Sequence, residues 1–302
     1  MTFPNDSKLQ VIKKYAFLNT GLTSICIPSN VIQICDCAFY DSTQLSEVTF
    51  SMNSKLKIIE QRVFTCTNLI KLQLPSCIEH VYEGWLCNTP YLTDISVIPS
   101  EISNFAYIND SLLIGKLHPN DESFNTIYLI RKDVLSVTIP SFIKYISHYS
   151  FSESRIEKVD FPEDSQLLII DKCAFSYSRL NRIKIPKTVS IICEFAFSDN
   201  PIKSIEFDDD SELELVDKNA FASSQLWCIS IPQSLTSIED ECFSDCIEFL
   251  IIEIAENSEL EVIKKAIFDD STPLIMIPVD FKGIINFGED DEFEEEGKDD
   301  FE

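Results

Sequence analysis

The sequence predicts a repeat solenoid made mainly of β-structure, with a parallel sheet of about 12 coils, short strands or turns on the other face, and one hairpin insertion. Two observations predict it. The pattern L-x-x-I-x-I-P-x-x-V-x-x-I-x-x-x-A-F fits residues 180–197 and returns at 226–243 and 22–39. A sister pattern without the fixed proline occupies 156–175 and 202–221. A fixed period indicates one growing array rather than separate globular domains.

The last apolar strand position of each coil gives the register of the whole array. Successive positions are 22 to 24 residues apart, except for one step of 42. They are Phe3, Ile27, Phe50, Leu74, Val97, Ile139, Phe161, Ile185, Phe207, Ile231, Ile254 and Ile277. The proline copies recur every 46 or 47 residues outside the long step, so the repeating unit is a pair of alternating coils.

Each coil predicts one strand and one large core side chain. The last two apolar residues of L-x-x-I-x-I are two apart, so both face the core and the residues before them face outward. The A-F pair closes the coil with its Phe, except in the fourth coil, where Leu86 takes that position. The sister coils carry Asp or Asn followed by Ser, which predicts a turn in which the Asx side chain binds main-chain groups.

The domain boundaries follow from where the period stops. The solenoid is predicted over 1–287, and the long step marks an insertion at about 100–133. Within the insertion, two short strands around an Asn109-Asp110 turn predict a hairpin that still packs on the solenoid. Residues 288–302 form a tail rich in acidic residues and poor in apolar ones, which predicts disorder.

Composition restricts the class of partner. The chain has 50 acidic and 24 basic residues, a formal net charge of −26, which disfavours nucleic acid and anionic membranes. No signal peptide is predicted, and no apolar stretch reaches the roughly 18 residues of a membrane span. Several of the eleven Cys fall within four residues before a repeat Phe, so we interpret the cysteines as reduced and mostly buried core residues rather than disulfides or metal ligands.

Nothing in the sequence predicts catalysis. The chain lacks H-E-x-x-H, G-x-S-x-G and phosphate-binding glycine motifs, and none of its three His stands in a comparable setting. The Asp and Asn of alternate coils do not supply the six to eight converging oxygens that Ca²⁺ takes. We therefore predict that the protein is not an enzyme, has no metal site and needs no cofactor.

The tandem pattern with its I-P and A-F steps resembles the BspA-like leucine-rich repeats of bacterial and protist surface proteins, and the match covers about 1–287. The segment FAYINDSLLIGK resembles the hairpin variant of such arrays. The resemblance implies a leucine-rich-repeat solenoid with a protein-binding, adhesin-like role at the cell surface or outside the cell. Because no signal peptide or membrane anchor is seen, an intracellular, cytoplasmic scaffold or regulator is the alternative.

The outward strand positions supply the candidate binding site. Lys158, Arg182 and Lys184 fall on neighbouring strands and predict a basic spot on an acidic protein. The partner would be a protein or an acidic glycan on the sheet face. Alternatively, the basic side chains pair across strands with Asp160 and Glu206, in which case their role is structural.

Overall fold

The computed structural model of the chain describes residues 3–4, 6–98, 104–246, 251–268 and 274–286. The predicted tail at 288–302 lies outside the described residues. So does the beginning of the insertion, because residues 99–103 are not described. Among the described residues, no helix is long and apolar enough to cross a bilayer.

In the first four coils, short strands on one face of the solenoid, the back, alternate with longer strands on the opposite face, the front. These strands are β1 (Val11–Ile12), β2 (Ser24–Ile27), β3 (Gln33–Ile34), β4 (Glu47–Phe50), β5 (Ile58–Ile59), β6 (Lys71–Pro75), β7 (His80–Val81) and β8 (Asp94–Ile98).

The insertion contributes three strands: β9 (Phe105–Ile108), β10 (Leu112–Gly115) and β11 (Thr126–Ile130). β9 and β10 pair antiparallel around Asn109 and Asp110, whose φ angles of 53° and 49° both lie in the left-handed region. Ser111 N donates to Ile108 O at 3.1 Å across these two left-handed residues, and Ile108 pairs with Leu112. The predicted hairpin is confirmed.

The remaining coils resume the alternation of front and back strands. They are β12 (Ser136–Thr138), β13 (Tyr145–Ile146), β14 (Lys158–Asp160), β15 (Ile169–Ile170), β16 (Arg182–Ile185), β17 (Ile191–Ile192), β18 (Ser204–Phe207), β19 (Leu215–Val216), β20 (Cys228–Ile231), β21 (Ser237–Ile238), β22 (Ile251–Ile254), β23 (Val262–Lys264), β24 (Leu274–Met276) and β25 (Ile284–Asn286). One 3₁₀ turn, Lys265–Ile267, follows β23.

Parallel pairing between consecutive coils builds a front sheet and a back ladder, and both are interrupted. The front pairs as β2-β4-β6-β8, then β12-β14, then β16-β18-β20-β22-β24. The back pairs as β1-β3-β5-β7, then as one eight-stranded ladder from β9 through β10, β11, β13, β15, β17 and β19 to β21, and finally as β23-β25. The predicted mainly β solenoid with parallel sheets is confirmed.

The number of turns is smaller than predicted. Eleven front strands occur in the described residues, against about 12 expected. The difference lies at the first register position, because Phe3 is described and is not in a strand. Phe3 still packs against the core as a partly buried side chain.

The inserted hairpin divides the core in two. Leu113, Leu129 and Phe105 belong to the core of the N-terminal coils, whereas Leu112 and Ile114 belong to the core of the C-terminal coils. Successive residues of a strand point to opposite faces, so both faces of β10 are buried. The hairpin is a wall between two cores rather than an outgrowth packed on one side.

Stacked Phe rings run along each core. Phe39 lies between Phe17 and Phe64, with ring centroids 5.0 Å and 5.3 Å away. In the C-terminal core the ring of Phe175 is 4.6 Å from Phe151, and the stack continues to Phe268. All of these rings except Phe17 are fully buried. Burial of rings of this size dominates the stability of such cores.

A second column runs three residues after the Phe positions, and its described members are buried except for the partly buried Thr20 and Cys246. Ser42, Thr67 and Ser154 there donate to the main-chain carbonyls of Phe17, Phe64 and Phe151. The column also includes Thr89, Ser178, Asn200, Ser224 and Cys246. These side chains satisfy carbonyls that the tight turns leave unpaired.

Lys132, three residues after Leu129, takes the same place in the coil that carries the insertion, and it is 3% exposed. Its Nζ donates to the main-chain carbonyl of Ser152. Burial lowers the pKa of this lysine to about 8. A charged residue therefore stands in a column of small polar ones, at the boundary between the two cores.

Candidate functional site

The five predicted site residues lie together on the front face. Lys158 and Asp160 belong to β14, Arg182 and Lys184 to β16, and Glu206 to β18. Except for the half-buried Asp160, all are exposed. The apolar residues between them in each strand are buried, so the alternation turns the charged side chains outward.

The front sheet is open at this place. β14 pairs with β12 and β16 pairs with β18, but β14 and β16 are not paired with each other. On the back of the same coils, β13, β15 and β17 form an uninterrupted ladder. The opening is therefore confined to the front, where it deepens into a groove with a cavity volume of about 830 Å³. We call this the β14–β16 groove.

Most of the charges at the β14–β16 groove are paired. Lys158 Nζ lies 2.7 Å from Asp160 Oδ2, within the same strand. Lys184 Nζ lies 2.5 Å from Asp208 Oδ1 rather than beside Glu206. The hydrogen bond to Asp208 raises the pKa of Lys184. Both lysines therefore pair with acidic neighbours, but not in the cross-strand pairs with Asp160 and Glu206 that the structural alternative expected. Lys158 pairs within its own strand, and Lys184 pairs with Asp208.

Arg182 and Glu206 differ from their neighbours, since neither has an ion-pair partner within the described ranges. Lys187 and Asp210, 2.6 Å apart, extend the pattern of paired charges to the next turn. The groove thus presents alternating positive and negative side chains instead of a uniform basic spot. Such a surface suits a partner that carries both signs of charge.

Sequence reasoning missed several residues of the groove. Asp208 and Asp210 stand just after β18, and Lys187 follows Pro186 in the turn after β16. The outward-alternation rule applies only inside strands, so it does not reach turn residues. The acidic run at 208–210 was the available signal, because charges placed beyond the end of a strand can still fold back over its face.

The described residues offer no site for a metal. They contain no group of three or more His, Cys, Asp or Glu side chains that could hold an ion. All eleven cysteines are free. Only Cys173 and Cys242 are buried, eight are partly buried and Cys26 is exposed, so the expectation that most are buried was wrong. Burial raises the pKa of Cys87 and of Cys193 to about 12, which keeps both thiols protonated and unreactive.

Comparison with models of known protein families gives a match over most of the chain. The BspA type leucine-rich repeat region matches in six copies, over residues 1–114, 131–210 and 168–290. The chain belongs to the BspA-type leucine-rich-repeat family. The BspA-type match includes nearly all of the hairpin, since its first range ends at 114, and it leaves out residues 115–130, which contain β11. A search of curated proteins gives no match.

Solved structures with the same fold come from bacteria. The pneumococcal vaccine antigen PcpA aligns with a TM-score of 0.74 and 21% identity, over 95% of this chain and 73% of that one. A leucine-rich cell surface protein from Faecalibacterium prausnitzii aligns at 0.64 and 21%, over 78% and 60%. A leucine-rich-repeat protein from Eubacterium ventriosum aligns at 0.66 and 19%, over 92% and 78%. At these identities, the likeness concerns the fold of the BspA-type solenoid.

Proposed function

We propose that this chain is a non-enzymatic protein-binding module, with an adhesin-like role at the cell surface or outside the cell. The supporting observation is the β14–β16 groove on the front of a solenoid. It is open, lined by charges of both signs, and rigidly backed by a continuous ladder. Repeat solenoids offer extended surfaces to partners rather than enclosed reaction sites. Similarity in fold to structures described as a vaccine antigen and a cell surface protein supports a location at the cell surface or outside the cell.

The partner is proposed to be a protein segment that carries both acidic and basic side chains. Arg182 would bind a carboxylate of the partner, because a guanidinium pairs with carboxylates through two parallel hydrogen bonds. Glu206 would accept from a basic side chain. The pairs Lys158–Asp160 and Lys184–Asp208 would hold the rim of the groove in shape. An acidic glycan fits this surface less well, since most positive charges there are already paired.

The test is a double charge reversal, Arg182→Glu with Lys184→Glu, assayed by binding of the purified chain to host or matrix proteins. Binding should fall at least about tenfold, because each lost charged contact is worth roughly 1.5–3 kcal/mol. The matched control is Lys71→Glu with Gln73→Glu. These residues hold the same outward positions on β6, where the front sheet is unbroken. Equal loss in both variants would show a general charge effect and would contradict the groove as the site.

The alternative function is an intracellular scaffold or regulator built on the same array. The eleven free cysteines favour it, because unpaired thiols persist in reducing compartments. Antibody staining of intact against permeabilised cells decides between the two locations. Staining of intact cells supports surface display, and staining only after permeabilisation supports the scaffold.

A further inference from the structure

A second break in the front sheet lies at the boundary between the two cores. Among the described strands, β8 pairs with β6 alone and β12 with β14 alone, so the described front sheet stops between β8 and β12, where the hairpin enters. A cleft with a cavity volume of about 310 Å³ lies at this boundary. Three neighbouring segments meet there, because Lys132 N donates to Leu92 O at 3.0 Å and Arg155 N donates to Lys132 O at 2.9 Å. We call it the boundary cleft.

One wall of the boundary cleft is apolar and exposed. Tyr91 is 58% exposed and Ile70 is 50% exposed, with Pro90 beside them. Large apolar side chains this open to water, grouped at a concave site, mark a surface that binds something. A flat aromatic side chain there offers its face to a ring that is itself apolar on one side.

The opposite wall is charged. Arg155 is exposed and has no ion-pair partner in the described part of the chain. Lys132 also lines the cleft, but its ammonium is buried and donates to the carbonyl of Ser152. The exposed guanidinium of Arg155 is therefore the cationic group that faces the cleft, and a guanidinium favours a carboxylate.

The boundary cleft also contains groups that can form hydrogen bonds with the hydroxyl groups of a ligand. Asp133 accepts from Arg131 Nε through Oδ1 at 2.7 Å, and its second carboxylate oxygen, Oδ2, has lone pairs for a further donor. Thr93 stands on the other side of the cleft with a hydroxyl that both donates and accepts. A carboxylate acceptor and a hydroxyl facing one space suit a ligand that carries several hydroxyl groups.

We propose that the boundary cleft binds an acidic monosaccharide unit of the uronic acid class. The sugar ring would lie on Tyr91 and Ile70, its carboxylate would bind Arg155, and its hydroxyls would bind Asp133 and Thr93. A volume of about 310 Å³ is at the lower end of the range of small-molecule sites, which fits one sugar ring. The inference does not rest on the proposed function, because the β14–β16 groove shares none of these residues.

The repeat supplies matched controls for the test. Arg179 holds the position of Arg155 one coil further on, and it is also exposed. Tyr177, in the same neighbouring coil, is an exposed tyrosine like Tyr91. Neither control residue lines the boundary cleft. Titration of the full chain with glucuronate, followed by calorimetry or ligand-observed NMR, should show saturable binding on the order of millimolar, as expected for a ligand this small.

Arg155→Gln and Tyr91→Ala should each weaken glucuronate binding at least about tenfold. Arg179→Gln and Tyr177→Ala should leave it unchanged, and glucose, which lacks the carboxylate, should not bind. Thermal melting of every variant checks the fold. Absence of saturable binding, equal loss in the controls, or equal binding of glucose would overturn the proposal. Equal binding of cyclohexanecarboxylate, which lacks hydroxyls, would overturn the assignment to a sugar.

Discussion

The N-terminal coils, residues 6–98, and the C-terminal coils, residues 134–286, are built from the same repeat but differ at the front. The N-terminal front strands β2, β4, β6 and β8 form one continuous sheet. The C-terminal front strands are split into β12-β14 and β16 to β24, while the back ladder behind the split is continuous. Both regions nevertheless contain stacked, buried Phe rings.

The comparison shows that core packing and front pairing are separable in this fold. Phe151 and Phe175 stack at 4.6 Å directly behind the opening, closer than the 5.0 Å and 5.3 Å between neighbouring rings of the N-terminal stack. Main-chain groups at the opening face solvent, so water can satisfy them and the loss of pairing costs little. The solenoid can therefore open a groove on its surface without losing its core.

The first and largest expected effect concerns the two cores. Phe39→Ala in the N-terminal stack and Phe175→Ala in the C-terminal stack should each lower the free energy of unfolding by about 3–5 kcal/mol. Each ring is fully buried between two others. Similar losses in urea titrations would mean that the core behind the opening is as well packed as the core behind the unbroken sheet.

The same two variants test the hairpin wall. Because Leu112 and Leu113 are fully buried in opposite cores, we expect the wall to couple them into a single unfolding transition. Either substitution should then shift that whole transition. Two separate transitions, with only one shifted by each variant, would mean that the cores unfold independently.

The second expected effect concerns the pH dependence contributed by Lys132. Burial lowers its pKa from 10.5 to about 8, while the charge of Glu153 nearby acts in the opposite direction. Between these two pH values the unfolded chain binds more protons at this residue than the folded one, so stability rises with pH there. The rise should reach about 3 kcal/mol.

The measurement is the difference in unfolding free energy between the parent chain and Lys132→Met, taken from pH 7.5 to 10.5. Thiols and tyrosines titrate in both proteins, so their contributions cancel to first order. The difference should change in favour of the parent chain as the pH rises through about 8 to 10.5. A difference that stays flat with pH would contradict the burial of a charged amine at the wall.

The third expected effect concerns amide exchange at the β14–β16 groove. In the unbroken sheet, the amide of Lys71 donates to Ser46 O at 3.0 Å. Arg182 holds the corresponding position on β16, which is not paired with the preceding coil. Its amide should exchange with solvent on the order of 100-fold faster than that of Lys71, because it needs no opening reaction. Equal protection of the two amides would contradict the break in the sheet.

Much of the fold could be predicted because period and alternation are properties of the sequence alone. The outward positions of Arg182 and Lys184 and the Asn109-Asp110 turn follow directly from them. The break between β14 and β16 could not be predicted, since both strands keep the same apolar pattern as paired ones. Pairing between front strands depends on the packing between adjacent coils, and the apolar pattern of a single coil does not determine that packing.

The turns show a similar limit. In the sister coils we expected the Asp or Asn to bind the main chain, but the serine that follows accepts the recurring bond, as Ser165 Oγ does from Leu167 N at 3.4 Å. The polar column after each Phe could not be predicted either, because Ser and Thr are ordinary turn residues. The burial of Lys132 could not be predicted either, since a lysine near a loop is normally exposed.

The smallest expected effect comes from the turns that flank each Phe, where the chain repeatedly adopts left-handed backbone without glycine. Ser223, exposed and two residues after Phe221, has a φ of 54°. A side chain at such a φ costs roughly 1–2 kcal/mol, whereas glycine adopts it freely but loses more entropy on folding. Ser223→Gly should therefore stabilise the chain slightly or leave it unchanged, within about 1 kcal/mol. Ser230→Gly, in the exposed face of β20, should instead destabilise it by about 0.5–1 kcal/mol. Urea titrations measure the free energy of unfolding of both variants. An equal decrease in the two would mean that the left-handed turn at Ser223 carries no strain.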